Sequence, residues 1–379
     1  MEHKTKLLLV ADTYYPKVDG TLKFMEEFLK RTKDYFYISL LVPNYKHHKD
    51  TKTKTFCKTS RFFSLSGYPS IRNSFSNLRK ITKSIKENEI IFIQGPALLS
   101  FYALFFGRFY NKFVITYIHV ITWELLDNFI KLPKNIRKII INISKKVAIW
   151  LYNKADIVLV PYHDLKDSLK EGGITSNITV AKLGVDINRF NIPKNKDTAK
   201  NKIGIAPSKT VIGYVGRVSQ EKNVHTLLSA FQSIKNRKNL HLLIVGDGTK
   251  EIVKEIKQKK NVTLTGFIDN VEDYLKAMDI FVMPSLTETT SLATLEAMST
   301  GLPVIATKVG FIKKYIIKDY NGVFFPRESP SHLTLKIKLL LEDIALREKL
   351  GENARKTIAY SFSWERSINK IKRILLRDE

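Results

Sequence analysis

Cysteine is almost absent from this chain of 379 residues: Cys57 stands alone. No intramolecular disulfide can form, and the composition fits a reducing compartment. Acidic residues are scarce too, 36 against 63 Lys and Arg, which leaves a formal net charge of +27. Long apolar runs are missing. The best candidate, Phe92 to Val120, is broken by Gln94, Pro96, Arg108, Asn111 and Lys112, so no membrane-spanning helix is expected. The opening MEHKTKLLLVADTYYP has an apolar core of only Leu7 to Val10, too short for a signal peptide. A cytoplasmic protein is the expectation. The sequence also lacks a solenoid-length repeat, zinc-ligand spacing, a helix-turn-helix pattern and an aromatic-studded basic motif, so charge alone speaks for nucleic acid.

What is present is ample apolar material, 44% of residues. At a soft scale of ~150 residues per domain the length gives two or three units. Strand and helix patterns alternate in both halves, which predicts parallel sheets covered on both faces. We expect an amino-terminal domain over residues 1–190, a second over 191–363, and a last helix over 364–379 packing back on the first. Asn188 to Lys209, rich in Lys and Asn and without periodicity, reads as the connection.

The stretch Phe281 to Gly310 carries the strongest signal. An apolar strand, Ile280 to Met283, leads into a polar loop with Glu288, and a helix opening near Ser291 carries Glu296 on its second turn. Both carboxylates thus belong to one strand-to-helix junction at the carboxyl edge of a parallel sheet, where open α/β folds bind ligands. The amides of Thr290, Ser291 and Leu292 would lie at the helix N-terminus, a site for an anion. Loop followed by helix puts the two carboxyls roughly 10 Å apart at a rise of about 1.5 Å per helical residue. A retaining glycosidase needs ~5–5.5 Å, so the pair would grip different parts of one extended ligand.

A second cluster follows the strand Val211 to Val215. Gly216, Arg217 and Lys222 precede a helix from Val224 to Ile234. Arg offers a fork and Lys a point charge, a combination suited to a diphosphate. Near the amino terminus the strand Leu7 to Val10 runs into a loop reaching Gly20, ahead of a helix over Leu22 to Arg31. Glycine allows close backbone approach to a phosphate. His119 follows a further apolar run, Phe113 to Ile118. Gly246 and Gly248 form a turn after Leu240 to Val245, and turn geometry suffices to explain Asp247.

Glu288 and Glu296 match an E-x7-E motif, and over nearly its whole length the chain resembles the retaining, nucleotide-sugar-dependent glycosyltransferases of family 4. The resemblance implies the GT-B fold, two Rossmann-like domains whose parallel sheets face across a cleft. It implies that Glu288 contacts hydroxyls of the donor sugar and Glu296 the nucleotide ribose. Arg217 and Lys222 would stabilise the leaving nucleoside diphosphate, and Gly20 would match a phosphate-loop glycine. His119 would lie beside the donor sugar. At Thr290 and Ser291 the sequence departs from the family, where a large apolar residue and a Gly are commoner; Ser is nonetheless a good N-cap. The implied mechanism is front-face displacement, with the leaving diphosphate oxygen taking the acceptor proton and no enzyme nucleophile. Neither metal ligands nor a cofactor are expected, the nucleoside-diphosphate sugar being a substrate.

Three basic stretches, Lys46 to Arg61, Arg72 to Lys86 and Lys131 to Lys154, carry much of the charge, and no acid occurs between Asn128 and Ala155. There Ile136, Ile140, Ile143, Val147 and Leu151 recur at helical spacing among Lys134, Arg137, Lys138, Lys145 and Lys146. This pattern suits either a core-facing stripe or an interfacial helix whose cations meet anionic lipid heads. The expected function is sugar transfer from a UDP-sugar or another nucleoside-diphosphate sugar to a membrane-surface acceptor, such as a glycolipid or lipid-linked saccharide, by a protein peripheral on the inner face of the cell membrane. Lys134, Lys138, Lys145 and Lys146 are the membrane-contact candidates. The alternatives are another enzyme of this fold, such as a sugar-nucleotide epimerase or a phosphorylase, and a nucleic-acid-binding protein.

Overall fold

The computed structural model describes residues 4–16, 19–46, 48–65, 68–95, 97–119 and 133–378. The chain divides into two compact units, Met1–Lys182 with Ser367–Glu379, and Leu183–Arg366.

Among the described residues the first unit is built on one eight-stranded sheet in the order β4-β3-β2-β1-β5-β6-β7-β8. The strands are β1 Thr5–Ala11, β2 Phe36–Asn44, β3 Lys54–Leu65, β4 Tyr68–Ile71, β5 Ile90–Gln94, β6 Phe113–Tyr117, β7 Ile157–Val160 and β8 Asn177–Val180. All pair in parallel except β3 with β4. The apolar residues of β1 and β5 run without polar alternation because both faces are covered. Ile91 and Ile93 join the cluster that includes Ile81, Leu99 and Leu104, whereas Phe92 meets Phe24 and Phe28 of the Gly20–Thr32 helix. Each such side chain removed from water contributes about 1.5–3 kcal/mol before the entropy of ordering is counted. The strand order turns between β1 and β5, which sets Asp12 and Gln94 at the switch point of this sheet. The Trp364–Leu376 helix gives its last turns to the same unit, where the Lys372 ammonium sits 3.9 Å from the Tyr35 ring centroid.

The second unit holds a six-stranded parallel sheet in the order β11-β10-β9-β12-β13-β14. These strands are β9 Thr210–Val215, β10 Leu240–Val245, β11 Val262–Leu264, β12 Ile280–Met283, β13 Val304–Thr307 and β14 Gly322–Phe325. Its order is that of a doubly wound dinucleotide-type sheet, with the reversal between β9 and β12. The stretch Asn188 to Lys209 is not a bare connection: it belongs to this unit and contains the helix Lys196–Lys202. Asn195 caps that helix by accepting from the Thr198 amide, and buried Lys200 lies 2.9 Å from Asp279. A cap and ion pairs to distant partners hold it, Lys196 and Lys200 to Asp279 and Lys202 to Asp273, and none of these leaves an apolar period in the sequence.

Candidate active site

In the second unit the two motifs meet at the switch point, because β9 and β12 are neighbours and each motif is the loop leaving one of them. Backbone and side-chain bonds stitch the loops together. The Leu286 amide donates to Glu221 O at 2.8 Å, and Asn223 Nδ2 donates to Pro284 O at 3.3 Å. Asn223 adopts φ +52°, a left-handed conformation that Asn tolerates, and Thr226 donates to its Oδ1. The stitching brings Lys222 Nζ to 2.6 Å from Glu288 Oε1, and the hydroxyl of fully buried Ser285 donates to the same oxygen at 2.9 Å. Ser285 is in turn fixed by Thr307, whose hydroxyl donates to Ser285 O at 2.5 Å. Arg217 is more open, 3.7 Å from Glu221, and its carbonyl accepts from the buried Tyr214 hydroxyl.

Glycines set the spacing of these loops. Gly216 has φ +150° and its amide donates to Val245 O. A Cβ on Gly246 would lie 2.0 Å from Gly216 O, and one on Gly248 would lie 1.9 Å from Val218 O. The IVGDG turn is therefore pressed against the Arg217 loop, a constraint beyond turn geometry. Asp247 O accepts from the Val218 amide, while its side chain closes the local turn by accepting from Gly248 N. Behind Glu288, Gly310 at φ +49° would place a Cβ 1.7 Å from Glu288 O. Phe311 N donates to Thr289 O and the Tyr315 hydroxyl to Thr290 O, both at 2.7 Å.

The helix after this loop is Leu292–Ser299, so Thr290 and Ser291 precede it and Leu292 is its first residue. Ser291 is the N-cap, with φ 58° and ψ 84° in the left-handed region. Its Oγ accepts from Thr294 N over a long 3.4 Å and pairs with Thr294 Oγ1 at 2.8 Å. Buried Thr290 has a hydroxyl with no partner among the described residues, and Glu296 is buried on the second turn. A left-handed Ser costs roughly 1–2 kcal/mol, whereas Gly in place of Ser at an N-cap costs only a few tenths. Ser291→Gly is therefore expected to stabilise the protein by about 1 kcal/mol in urea unfolding; a destabilised variant would show that the cap outweighs the strain.

In the first unit, Gly20 opens the Gly20–Thr32 helix, with the Asp19 side chain accepting from the Leu22 amide; Lys17 and Val18 of the preceding loop lie outside the described residues. Asp12 accepts from the amides of Ala97 and Leu99, each at 3.0 Å, and from the Ser100 hydroxyl. It thereby caps the Leu98–Phe109 helix, whose own N-cap residue, Ala97, has no side chain to do so. Burial pushes the Asp12 carboxyl up from its ordinary value, against those hydrogen bonds. His119 follows β6, 7% exposed, stacked on Tyr117 at 4.3 Å and meeting Phe24 edge-on at 5.4 Å. Burial holds its imidazole pKa down to about 3, so the ring is neutral at physiological pH.

The Lys134–Tyr152 helix settles which apolar face is covered. Ala148, Leu151 and Tyr152 pack into the core, while Ile136, Ile139, Ile143, Val147 and Trp150 are each about half exposed, from 48% to 59%. Leu151 thus leaves the expected stripe, and Ile139 and Trp150 join its exposed side. Isoleucines stand on both sides of this helix, so spacing alone could not say which side turns inward. Lys138 and Lys146 are exposed and Lys145 half-buried; the Lys154 ammonium lies 4.7 Å from the Trp150 ring centroid. The Lys134 side chain and residues 128–132 of the acid-free segment lie outside the described residues. Among the described residues no helix is long and apolar enough to cross a membrane.

Comparison with known proteins gives two family matches: the model for glycosyl transferases group 1 over residues 195–357, and that for glycosyltransferase family 4 over residues 31–189. An uncharacterized glycosyltransferase of Methanocaldococcus jannaschii is 25% identical over 99% of both chains. The UDP-Gal:alpha-D-GlcNAc-diphosphoundecaprenol alpha-1,3-galactosyltransferase of Escherichia coli is 30% identical over 52% of this chain and 53% of its own. In other curated relatives the match spans about half of their length, 46% and 45% in two cases. Among solved structures, Anabaena HepE in complex with UDP superposes with a TM-score of 0.77 at 18% identity, over 98% of this chain and all of its own; at that identity the likeness shows the fold.

Proposed function

Because the chain belongs to the group 1, family 4 glycosyltransferases, we propose that this enzyme moves a sugar, with retention, from a nucleoside-diphosphate sugar to a hydroxyl of a lipid-borne acceptor at a membrane surface. The observation that carries the donor half is the pairing of Lys222 with Glu288 at the switch point of the second sheet, one loop from Arg217 and directly before the Leu292–Ser299 helix. A cation for a leaving diphosphate and a carboxylate for sugar hydroxyls are thereby held in contact before any ligand arrives. HepE holds UDP, which makes a UDP-sugar the first donor to try. The acceptor half draws on the exposed apolar stripe of the Lys134–Tyr152 helix among its cations, and on the E. coli relative, whose name gives a diphosphoundecaprenol-linked acceptor. Residence on the inner face of the cell membrane follows from the same reading.

In the reaction the bond from the anomeric carbon to the diphosphate oxygen breaks, its electron pair leaving with the diphosphate. The acceptor oxygen bonds that carbon from the same face, and its proton passes to the departing diphosphate oxygen. Arg217, Lys222 and the first amides of the Leu292–Ser299 helix oppose the developing negative charge. Glu288 holds the sugar and Glu296 the ribose. Gly20 and Gly216 are assigned to close approach of donor phosphates, and His119 to the transfer step.

The division of labour between the glutamates is testable. Ribose contacts persist in substrate and product, so Glu296→Gln is expected to weaken binding of free UDP in calorimetry. Glu288→Gln is expected to spare that binding and lower kcat, because a sugar contact that strengthens in the transition state is lost. Equal losses of UDP affinity in the two variants would contradict the assignment.

A further inference from the structure

Among the described residues, one directional contact orients His119. Its Nε2 stands 2.8 Å from Oε1 of Gln94, a residue 25 positions earlier. Gln94 ends β5 in register with Ala11 on one side and Tyr117 on the other, and its side chain is 0% exposed. Ile90 and Phe92 share its face of the strand, and both are apolar and buried. A residue serving only to fill that layer would be apolar as well. Gln94 instead brings a buried amide, half of which is unsatisfied: its Nε2 has no hydrogen-bond partner among the described residues. The half that is satisfied is the one facing the imidazole.

An amide oxygen can only accept, so the His119 nitrogen opposite it carries the proton and the other ring nitrogen keeps a lone pair. Tyr117 and Phe24 fix the ring plane, and a half-turn within that plane would set carbon Cε1 rather than a nitrogen opposite Gln94 Oε1, so the hydrogen bond selects this orientation. We propose that Gln94 is a positioning residue that holds His119 as the Nε2–H tautomer, so that Nδ1 meets a substrate hydroxyl as a hydrogen-bond acceptor. The consequence for the reaction rests on the assignment of His119 to the transfer step; the tautomer itself does not. The burial that keeps the ring neutral makes the tautomer, rather than the charge, the property left to control.

The test is a two-bond proton–nitrogen correlation spectrum of the full chain labelled with 15N-histidine, with His119 assigned by the signals lost in His119→Ala. The expected wild-type result is a protonated, pyrrole-type Nε2 and an unprotonated, pyridine-type Nδ1. A protonated Nδ1, or an averaged pair, overturns the proposal whatever the activity. In Gln94→Met, close in size but a poor acceptor, the spectrum is expected to show mixed tautomers. Its kcat should fall by about ten- to a hundred-fold, as for a slightly misplaced reacting group, with the donor KM unchanged. Retention of the wild-type tautomer and kcat in Gln94→Met also overturns it. Should Gln94→Met fail to fold, the wild-type spectrum alone still decides. Unchanged turnover in His119→Ala would remove His119 from the transfer step, an outcome distinct from the wrong tautomer.

Discussion

Arg217→Ala and Lys222→Ala are each expected to lower turnover by about 10²–10³-fold, the usual loss when one preorganised electrostatic group is taken from a developing charge, while the thermal unfolding midpoint moves little. The two substitutions differ in an informative way. Arg217 has an open ion pair with Glu221 at 3.7 Å, and such pairs contribute roughly 0–1 kcal/mol. Lys222 is bonded to Glu288 at 2.6 Å in a mostly buried setting. Its removal also leaves that carboxylate with Ser285 as its hydrogen-bond partner among the described residues, so Lys222→Ala is expected to be the more damaging. Combined with Glu288→Gln it should be less than additive, since the two residues share one contact. Wild-type turnover in both single variants, measured as nucleoside diphosphate released, would refute the diphosphate assignment.

Reversing Lys134, Lys138, Lys145 and Lys146 to Glu is expected to abolish recruitment to vesicles containing anionic lipid. Each basic residue at such a surface contributes about 1 kcal/mol, so loss of four attractions weakens binding by about a thousandfold, and the new negative charges repel. Salt should reproduce the loss in the parent protein, because surface attraction decays within ~8 Å at physiological ionic strength. A second variant, Ile139→Ser with Ile143→Ser and Trp150→Ser, separates apolar insertion from charge. It is expected to bind weakly even at low salt, as the exposed stripe then keeps only Ile136 and Val147 to bury. UDP binding in calorimetry should be intact in both variants, since none of the substituted residues is among those assigned to the donor. Flotation of the quadruple variant equal to that of the parent would remove this helix from the membrane contact.

Much of the fold could be read in advance. Uninterrupted apolar runs such as Leu7 to Val10 and Ile280 to Met283 became fully buried parallel strands, because a strand covered on both faces tolerates no polar alternation. The loop positions of Lys222 and Glu288 were legible for a different reason: each loop leaves an apolar strand, and those two strands are neighbours in the sheet. What escaped the sequence is what depends on distant partners. Nothing near Gln94 announces His119, nor does anything near Gly310 announce that Glu288 O will lie against it. Ser285 reads as a loop serine until its hydroxyl is seen on the Glu288 carboxylate. The Gly246 and Gly248 pair read as a turn, although backbone approach of the Arg217 loop is the tighter constraint. The helix Lys196–Lys202 and the antiparallel β4 were hidden similarly, the helix being short and held by ion pairs to Asp279 and Asp273, the strand by one edge pairing.

Transfer of a sugar from a nucleoside diphosphate to a lipid-borne hydroxyl leaves two products that can be read in one experiment. The purified protein is incubated with a panel of nucleoside-diphosphate sugars and total lipid extract, and both phases are read by mass spectrometry. The account predicts one donor, a UDP-sugar first, that yields free nucleoside diphosphate together with a lipid heavier by one sugar residue, and neither product from Lys222→Ala. Absence of both products with every donor, or equal yield from Lys222→Ala, would contradict it.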